Sequence, residues 1–243
     1  MNMPLNFLDL LLTLYLLIEL PRRQLWRSLR PSAVPPTPRV QRYHKNIVHI
    51  ALPLVALAAS MWWGGRSTAD IGLDLPRSGS GLWCLVVSAL VLLAMHVGGE
   101  LWERSLTPDK RAAQQAKIRE QLKSNDSSPR SAEELRAFML LSLFVGCGWE
   151  LLYRGFLLLV LPPVTGVAGA VILSAAAYGA AHGYDSIKQF TASVVSAFLF
   201  TIAYALTHSL WWLMLIHTAL GLIGALASYR ASTQEAAPGV NAV

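Results

Sequence analysis

Seven stretches of the chain are nearly unbroken runs of apolar residues, at roughly 4–20, 47–64, 81–98, 138–161, 164–182, 190–207 and 210–228, and the polar residues fall mostly between them. A helix needs ~20 apolar residues to cross the ~30 Å hydrocarbon core of a bilayer, and these runs are about that long. The pattern predicts an all-α fold, a polytopic transmembrane helical bundle of about seven spans. Between the first two runs, 21–46 holds Pro31, Pro35, Pro36 and Pro38 among basic residues. Proline removes a backbone donor and restricts the residue before it, so this segment reads as an extended loop rather than a helix. The segment 65–80 is short and mixed in charge. The polar stretch 99–136 reads as partly helical around Pro108–Leu122, loosened from Ser124 to Pro129, and restarted by Ser131 with Glu134 as a capping box. The chain thus divides into an N-terminal membrane region (1–136, about three spans), a core (137–229, about four spans) and a disordered tail (230–243).

Composition agrees with a membrane setting. Hydrophobic residues make up 54% of the 243 positions and charged residues 14%, against roughly a quarter charged in a soluble domain. Seven Lys and Arg lie in 21–46 and eight in 99–136. A net charge of +6 could indicate nucleic acid as a partner, but no binding module accompanies it, and basic loops on the cytoplasmic side account for it. That rule puts 21–46, 99–136 and the C-terminus inside, and 65–80 and the N-terminus outside. The expectation is an integral protein of a bacterial inner membrane. The first run has no basic residue before it and Pro21-Arg22-Arg23 after it, which is not the layout of a signal peptide. Asp9 and Glu19 make it the least apolar span. Cys84 and Cys147 sit in apolar runs as small buried hydrophobes, and no internal repeat indicates a transporter built from two halves.

Polar groups inside the last four runs carry the chemical information, because an ionisable group in hydrocarbon costs several kcal/mol unless it faces the bundle interior and has a partner. Glu150 and Arg154 are four residues apart on one helix face, close enough to pair. They are either a buried ion pair that sets register or a carboxylate poised by a cation. His182 ends the fifth run one turn after Tyr178, and His217 lies within the last. His208 sits in a short turn and is read as structural. Trp211 and Trp212 look like interface anchors. One carboxylate and two histidines on three spans can converge only in the interior. Such a set suits general-base activation of water with imidazole at an oxyanion, a metal with a Glu/His₂ shell, or a proton relay.

The order and surroundings of these residues resemble the CPBP family of intramembrane proteases, which includes the prenyl-protein (CAAX) endopeptidases. The family's first motif, a glutamate pair, three residues and arginine, appears as Trp149-Glu150-Leu151-Leu152-Tyr153-Arg154-Gly155-Phe156-Leu157. The second appears as Tyr178 to His182 followed by Gly183, and the third as Ser209-Leu210-Trp211 with His217. The resemblance covers about 138–228. Two positions depart from it: Trp149 replaces the first glutamate, and Gly221 replaces the usual asparagine or aspartate. The resemblance implies an endopeptidase that acts near the membrane surface on a membrane-associated or lipidated protein. Glu150 and His182 would activate water, Arg154 would hold Glu150, His217 would polarise the carbonyl, and Tyr178 would shape the site. In this reading Trp149, beside Glu150, excludes water from it. No metal or other cofactor is required, zinc being the less favoured alternative. The partners expected are a protein substrate and the lipid bilayer. A degenerate member that binds membrane proteins without cutting them is the rival reading.

Overall fold

The computed structural model describes residues 5–30, 37–76, 79–124 and 127–235, and among them there is no strand. Among the described residues eight helices follow one another. α1 (7–29) consists of Phe7–Leu14, a π turn Tyr15–Glu19 and Leu20–Leu29. α2 is Arg39–Trp63, α3 Gly79–Ser105 and α4 Pro108–Ser124. α5 is Ala132–Val160, with a π segment Glu150–Phe156 inside it. α6 is Pro162–Ala181, α7 Ile187–Thr207 and α8 Trp211–Glu235.

Six of these helices, all but α1 and α4, are long and apolar enough to cross a bilayer. Their outward side chains are apolar, among them Leu52, Val55, Leu90, Leu199 and Leu206, as a hydrocarbon solvent requires. α1 carries Asp9, Glu19, Arg22 and Arg23, yet it runs between the same two ends of the bundle. At one end Asp9 meets Arg66, and the Leu210 N–H donates to the Gly72 carbonyl at 2.9 Å. At the other, Arg39 pairs with Glu134, Arg230 pairs with Glu100, and Gly183 abuts Ser28. We call these the Gly72 end and the Arg230 end.

The segment 21–46 departs from the sequence reading. It is helical through Leu29 and again from Arg39, and Pro31, Pro35 and Pro36 lie outside the described residues. Pro21 does not end α1 because it sits in the first turn of the segment after the π turn, where its missing N–H is tolerated. The C-terminal segment also differs: α8 continues to Glu235, and 236–243 lie outside the described residues. α4 matches its expected position closely. At the start of α5, Ser131 Oγ accepts from the Glu134 N–H, and Glu134 reaches back to the Arg130 N–H at 2.7 Å, one residue earlier than a capping box requires.

The π turn in α1 follows from Pro21. A proline ring collides with the carbonyl four residues before it, and the helix widens there. The Leu20 N–H bonds Tyr15 O instead, and Pro21 has no N–H for the next carbonyl. That carbonyl, on fully buried Leu16, accepts from the Tyr153 hydroxyl at 3.0 Å. Ser174 Oγ in turn donates to Tyr153 O at 2.5 Å. One residue, Tyr153, thus ties α1, α5 and α6 together next to Arg154.

The Gly72 end is held by polar contacts among turns. The 3₁₀ turn Thr68–Ile71 ends in Gly72 at φ +69°, and a Cβ there would lie 2.8 Å from His208 O. Gly72 therefore meets both a left-handed backbone and a close approach. His208 Nε2 contacts Ala69 O at 3.1 Å, and Trp211 Nε1 donates to Leu73 O at 2.9 Å. Trp212 is only 6% exposed and packs on Phe200. It is a core residue, not the interface anchor its place in the sequence implies.

Asp9 is fully buried where α1 begins. Arg66 Nη1 and Nη2 donate to its two oxygens at 2.7 and 2.6 Å, Asn6 N–H adds a bond at 2.8 Å, and Ser60 Oγ donates as well. This is a bidentate, charge-assisted pair with its carboxylate well satisfied. Removing one partner leaves a buried charge alone, so Asp9→Ala is expected to cost ~3–5 kcal/mol. Thermal unfolding of the purified protein in detergent measures this, and a melting temperature equal to wild type would show that the pair does not hold α1.

Candidate active site

α5 to α8 surround a cavity of about 110 Å³ whose wall includes Glu150, Arg154, Tyr178, His182, Phe200 and His217. Glu150 and Arg154 occupy the π segment of α5 and are 2% and 1% exposed. A π segment inside an α-helix is rare and often marks a functional position. Arg154 Nη1 donates to Glu150 Oε1 at 2.6 Å, and His217 Nδ1 donates to the same oxygen at 3.0 Å. Glu150 Oε2 is buried with no hydrogen-bond partner among the described residues.

Tyr178 sits at the centre of the cluster. The Arg154 guanidinium lies 4.5 Å from its ring centroid, the His182 ring packs edge-on at 4.6 Å, and its hydroxyl is 3.4 Å from His217 Nδ1. The cation–π contact and the Glu150 carboxylate together compensate a guanidinium that has almost no access to water. His182 Nδ1 donates to Tyr178 O at 2.9 Å. A carbonyl can only accept, so a neutral His182 carries its proton on Nδ1 and leaves the Nε2 lone pair free. His217 uses Nδ1 on Glu150, which likewise leaves Nε2 for other work. The cavity wall grades from buried Glu150, Arg154 and Leu213 to exposed His182 and Leu220.

The structure thus brings Glu150, Arg154, Tyr178 and His217 into direct contact, and it joins His182 to them through Tyr178. Trp149 and Gly221 lie elsewhere. Trp149 packs toward Tyr153, with ring centroids 6.1 Å apart, and lines a separate cavity between α1, α2 and α5. It therefore does not stand over the Glu150 carboxylate as expected, because adjacent helical positions point ~100° apart. Gly221 faces α5, where a Cβ would come 3.2 Å from Ser142 Oγ. One turn earlier along that contact, Gly146 admits Thr218 so closely that a Cβ would be 2.1 Å from its Oγ1. Small residues of this kind let membrane helices approach closely. A side chain at 221 would enter the α5–α8 contact first, and only a shift of α8 would turn it to the cavity.

Sequence reasoning missed the α7 wall. Ser193, Ser196 and Phe200 line the cavity opposite Glu150. Their signal was present, since two serines and a phenylalanine recur at helical spacing in an otherwise apolar run. Without a charge among them they read as ordinary packing.

The α5–α8 contact predicts two unequal substitutions. Gly146→Ala drives a methyl into Thr218 and is expected to lower the melting temperature in detergent sharply, by overpacking worth ~1–3 kcal/mol or more. Gly221→Ala meets only the end of Ser142 and should cost clearly less. Equal costs would show that the contact is not close at Gly146.

No curated protein and no solved structure matches the chain. Residues 131–223, from the start of α5 to the middle of α8, match the family described as type II CAAX prenyl endopeptidase Rce1-like, and over this core the chain is similar to the CAAX-protease-like membrane proteins.

Proposed function

We propose that the protein is an intramembrane endopeptidase that hydrolyses a peptide bond near the membrane surface in a membrane-associated or lipidated protein. The observation that carries this reading is the grouping of a free carboxylate oxygen, two imidazoles with uncommitted Nε2 atoms and a tyrosine hydroxyl around one cavity. Water in the cavity is oriented by Glu150 Oε2. It gives a proton to His182 Nε2 as its oxygen bonds the scissile carbonyl carbon. The carbonyl oxygen becomes an oxyanion, held by His217 Nε2–H in its imidazolium form and by the Tyr178 hydroxyl. Collapse breaks the C–N bond, and the proton on His182 passes to the leaving amine. Arg154 pairs with Glu150 and fixes it throughout. Tyr178 thereby supplies the second donor that the family pattern would place at position 221.

The scheme uses no metal. Loss of activity on chelation, with recovery on adding zinc, would replace it with metal-assisted hydrolysis. The basic Arg230 end, with the end of α1, the start of α2, α4 and the start of α5, faces the cytoplasm in this reading. The end of α8 lies on that side, and exposed His182, next to it in the fold, marks where substrate approaches.

Two observations favour a second reading, in which the protein binds membrane proteins without cutting them. The position of the family's first carboxylate is turned to a different cavity as Trp149, and Gly221 is engaged in helix packing.

Mass spectrometry of membrane-protein termini in cells with wild-type protein, His182→Ala, Tyr178→Phe or no protein separates the two. Glu150→Ala is a poor first choice because it strands Arg154 in a buried site and threatens folding. The expected outcome is new termini with wild type only, their abundance falling ~10²-fold or more with Tyr178→Phe and to background with His182→Ala. Identical profiles for wild type and null, with folded protein present, would remove catalysis.

A further inference from the structure

A second cavity, of about 230 Å³, lies between α1, α2 and α5, on the far side of α5 from Glu150. Its lining sorts by depth on all three helices. On α1, Arg23 and Arg27 lie toward the Arg230 end, and Tyr15 and Leu20 lie deeper. On α2, Asn46 and His49 come before Ile50. On α5, the lining is wholly apolar and deepens from Leu141 through Val145 to Trp149. The mouth is basic and polar, the floor is apolar, and no carboxylate is among the lining residues. The nearest acid on α1, Glu19, is held by Arg22 at 2.7 Å on the exposed face. Arg23 and His49 already converge, their nitrogens 3.4 Å apart, with His49 Nδ1 donating to Lys45 O at 2.6 Å.

We propose that this cavity binds an anionic phospholipid, with its phosphate at Arg23 and Arg27 and the start of an acyl chain against Val145 and Trp149. A cationic mouth over an apolar slot, placed where spans meet the basic surface, matches an amphiphile with a negative head. Arginine suits the phosphate, because its planar fork donates two hydrogen bonds at once. Trp149 offers a flat apolar wall here, and no charge stands at the floor to be desolvated. The space is several times the ~30 Å³ share of one water, enough for a headgroup and the first carbons of a chain that continues into the bilayer.

Native mass spectrometry of the full-length protein in neutral detergent tests this with three probes: dioleoyl phosphatidylglycerol, dioleoyl phosphatidylcholine and inorganic phosphate. One phosphatidylglycerol is expected to bind in preference to phosphatidylcholine and to resist displacement by an equal concentration of phosphate. The double variant Arg23→Gln/Arg27→Gln should weaken it about thirtyfold, at ~1 kcal/mol per basic residue and tenfold per 1.4 kcal/mol. Arg22→Gln, on the exposed face, should leave it unchanged. Because Arg23 also contacts His49, Val145→Phe, which narrows the floor without touching charge, provides an independent loss of binding. Equal retention of the two lipids, displacement by phosphate alone, or unchanged affinity in either folded cavity variant would overturn the proposal.

Discussion

The fold depends on one constraint, that a charge inside hydrocarbon has to meet an opposite charge before it can stay charged. Glu150 and Arg154 meet it at 2.6 Å within a single turn of α5, so the pair is satisfied as soon as that helix forms. The surroundings then adapt to it. Tyr178 of α6 presents its ring to the guanidinium, Phe200 of α7 does so from farther away, and His217 of α8 takes the second approach to the carboxylate. Four helices are therefore set around one ion pair, and the cavity is the space their side chains leave. Asp9 and Arg66 solve the same problem between α1 and the loop after α2, with the difference that both carboxylate oxygens are saturated. In the α5 pair one oxygen is left over, and that distinguishes a joint from a site.

Much of this was legible in the sequence because hydropathy and buried charge are strong signals. The long apolar runs located six of the helices, with their ends off by up to eight residues, and Glu150, Arg154, His182 and His217 stood out as the acidic and basic side chains in their runs. α1 was legible as a helix but not as an ion-pair partner, since the residue that matches Asp9 lies 57 positions away in a loop. The segment 21–46 was misread because prolines between Pro31 and Pro38 were allowed to speak for their neighbours. Pro21 and the residues after it are helical, and so are those from Arg39 onward.

The direction of side chains was the least legible. Trp149 and Glu150 are neighbours in sequence but line different cavities, and no spacing rule fixes which way a helix is rotated before its partners are known. The same holds for Gly221. As a departure from a motif it reads as a missing donor, whereas the packing of α5 on α8 shows a glycine that lets two backbones approach. The widened turn of α1 is a third case: Pro21 announces a disturbance, but only the structure shows that Tyr153 supplies the hydrogen bond it removes.

The cavity at Glu150 encloses about 110 Å³, room for roughly three or four waters at ~30 Å³ each and far less than an extended peptide occupies. Any chain that reaches Glu150 has to part helices that are in tight contact, among them α6 and α7, where a Cβ on Gly179 would lie 2.9 Å from the Val194 Cα. Separation of packed elements of this kind occurs on the microsecond to millisecond scale or slower. In the proposed peptidase, admission of the peptide would then set the pace of the cycle. The closed state of such a peptidase would shield surrounding membrane proteins from indiscriminate attack, because selectivity would begin with which segments can pry the bundle open.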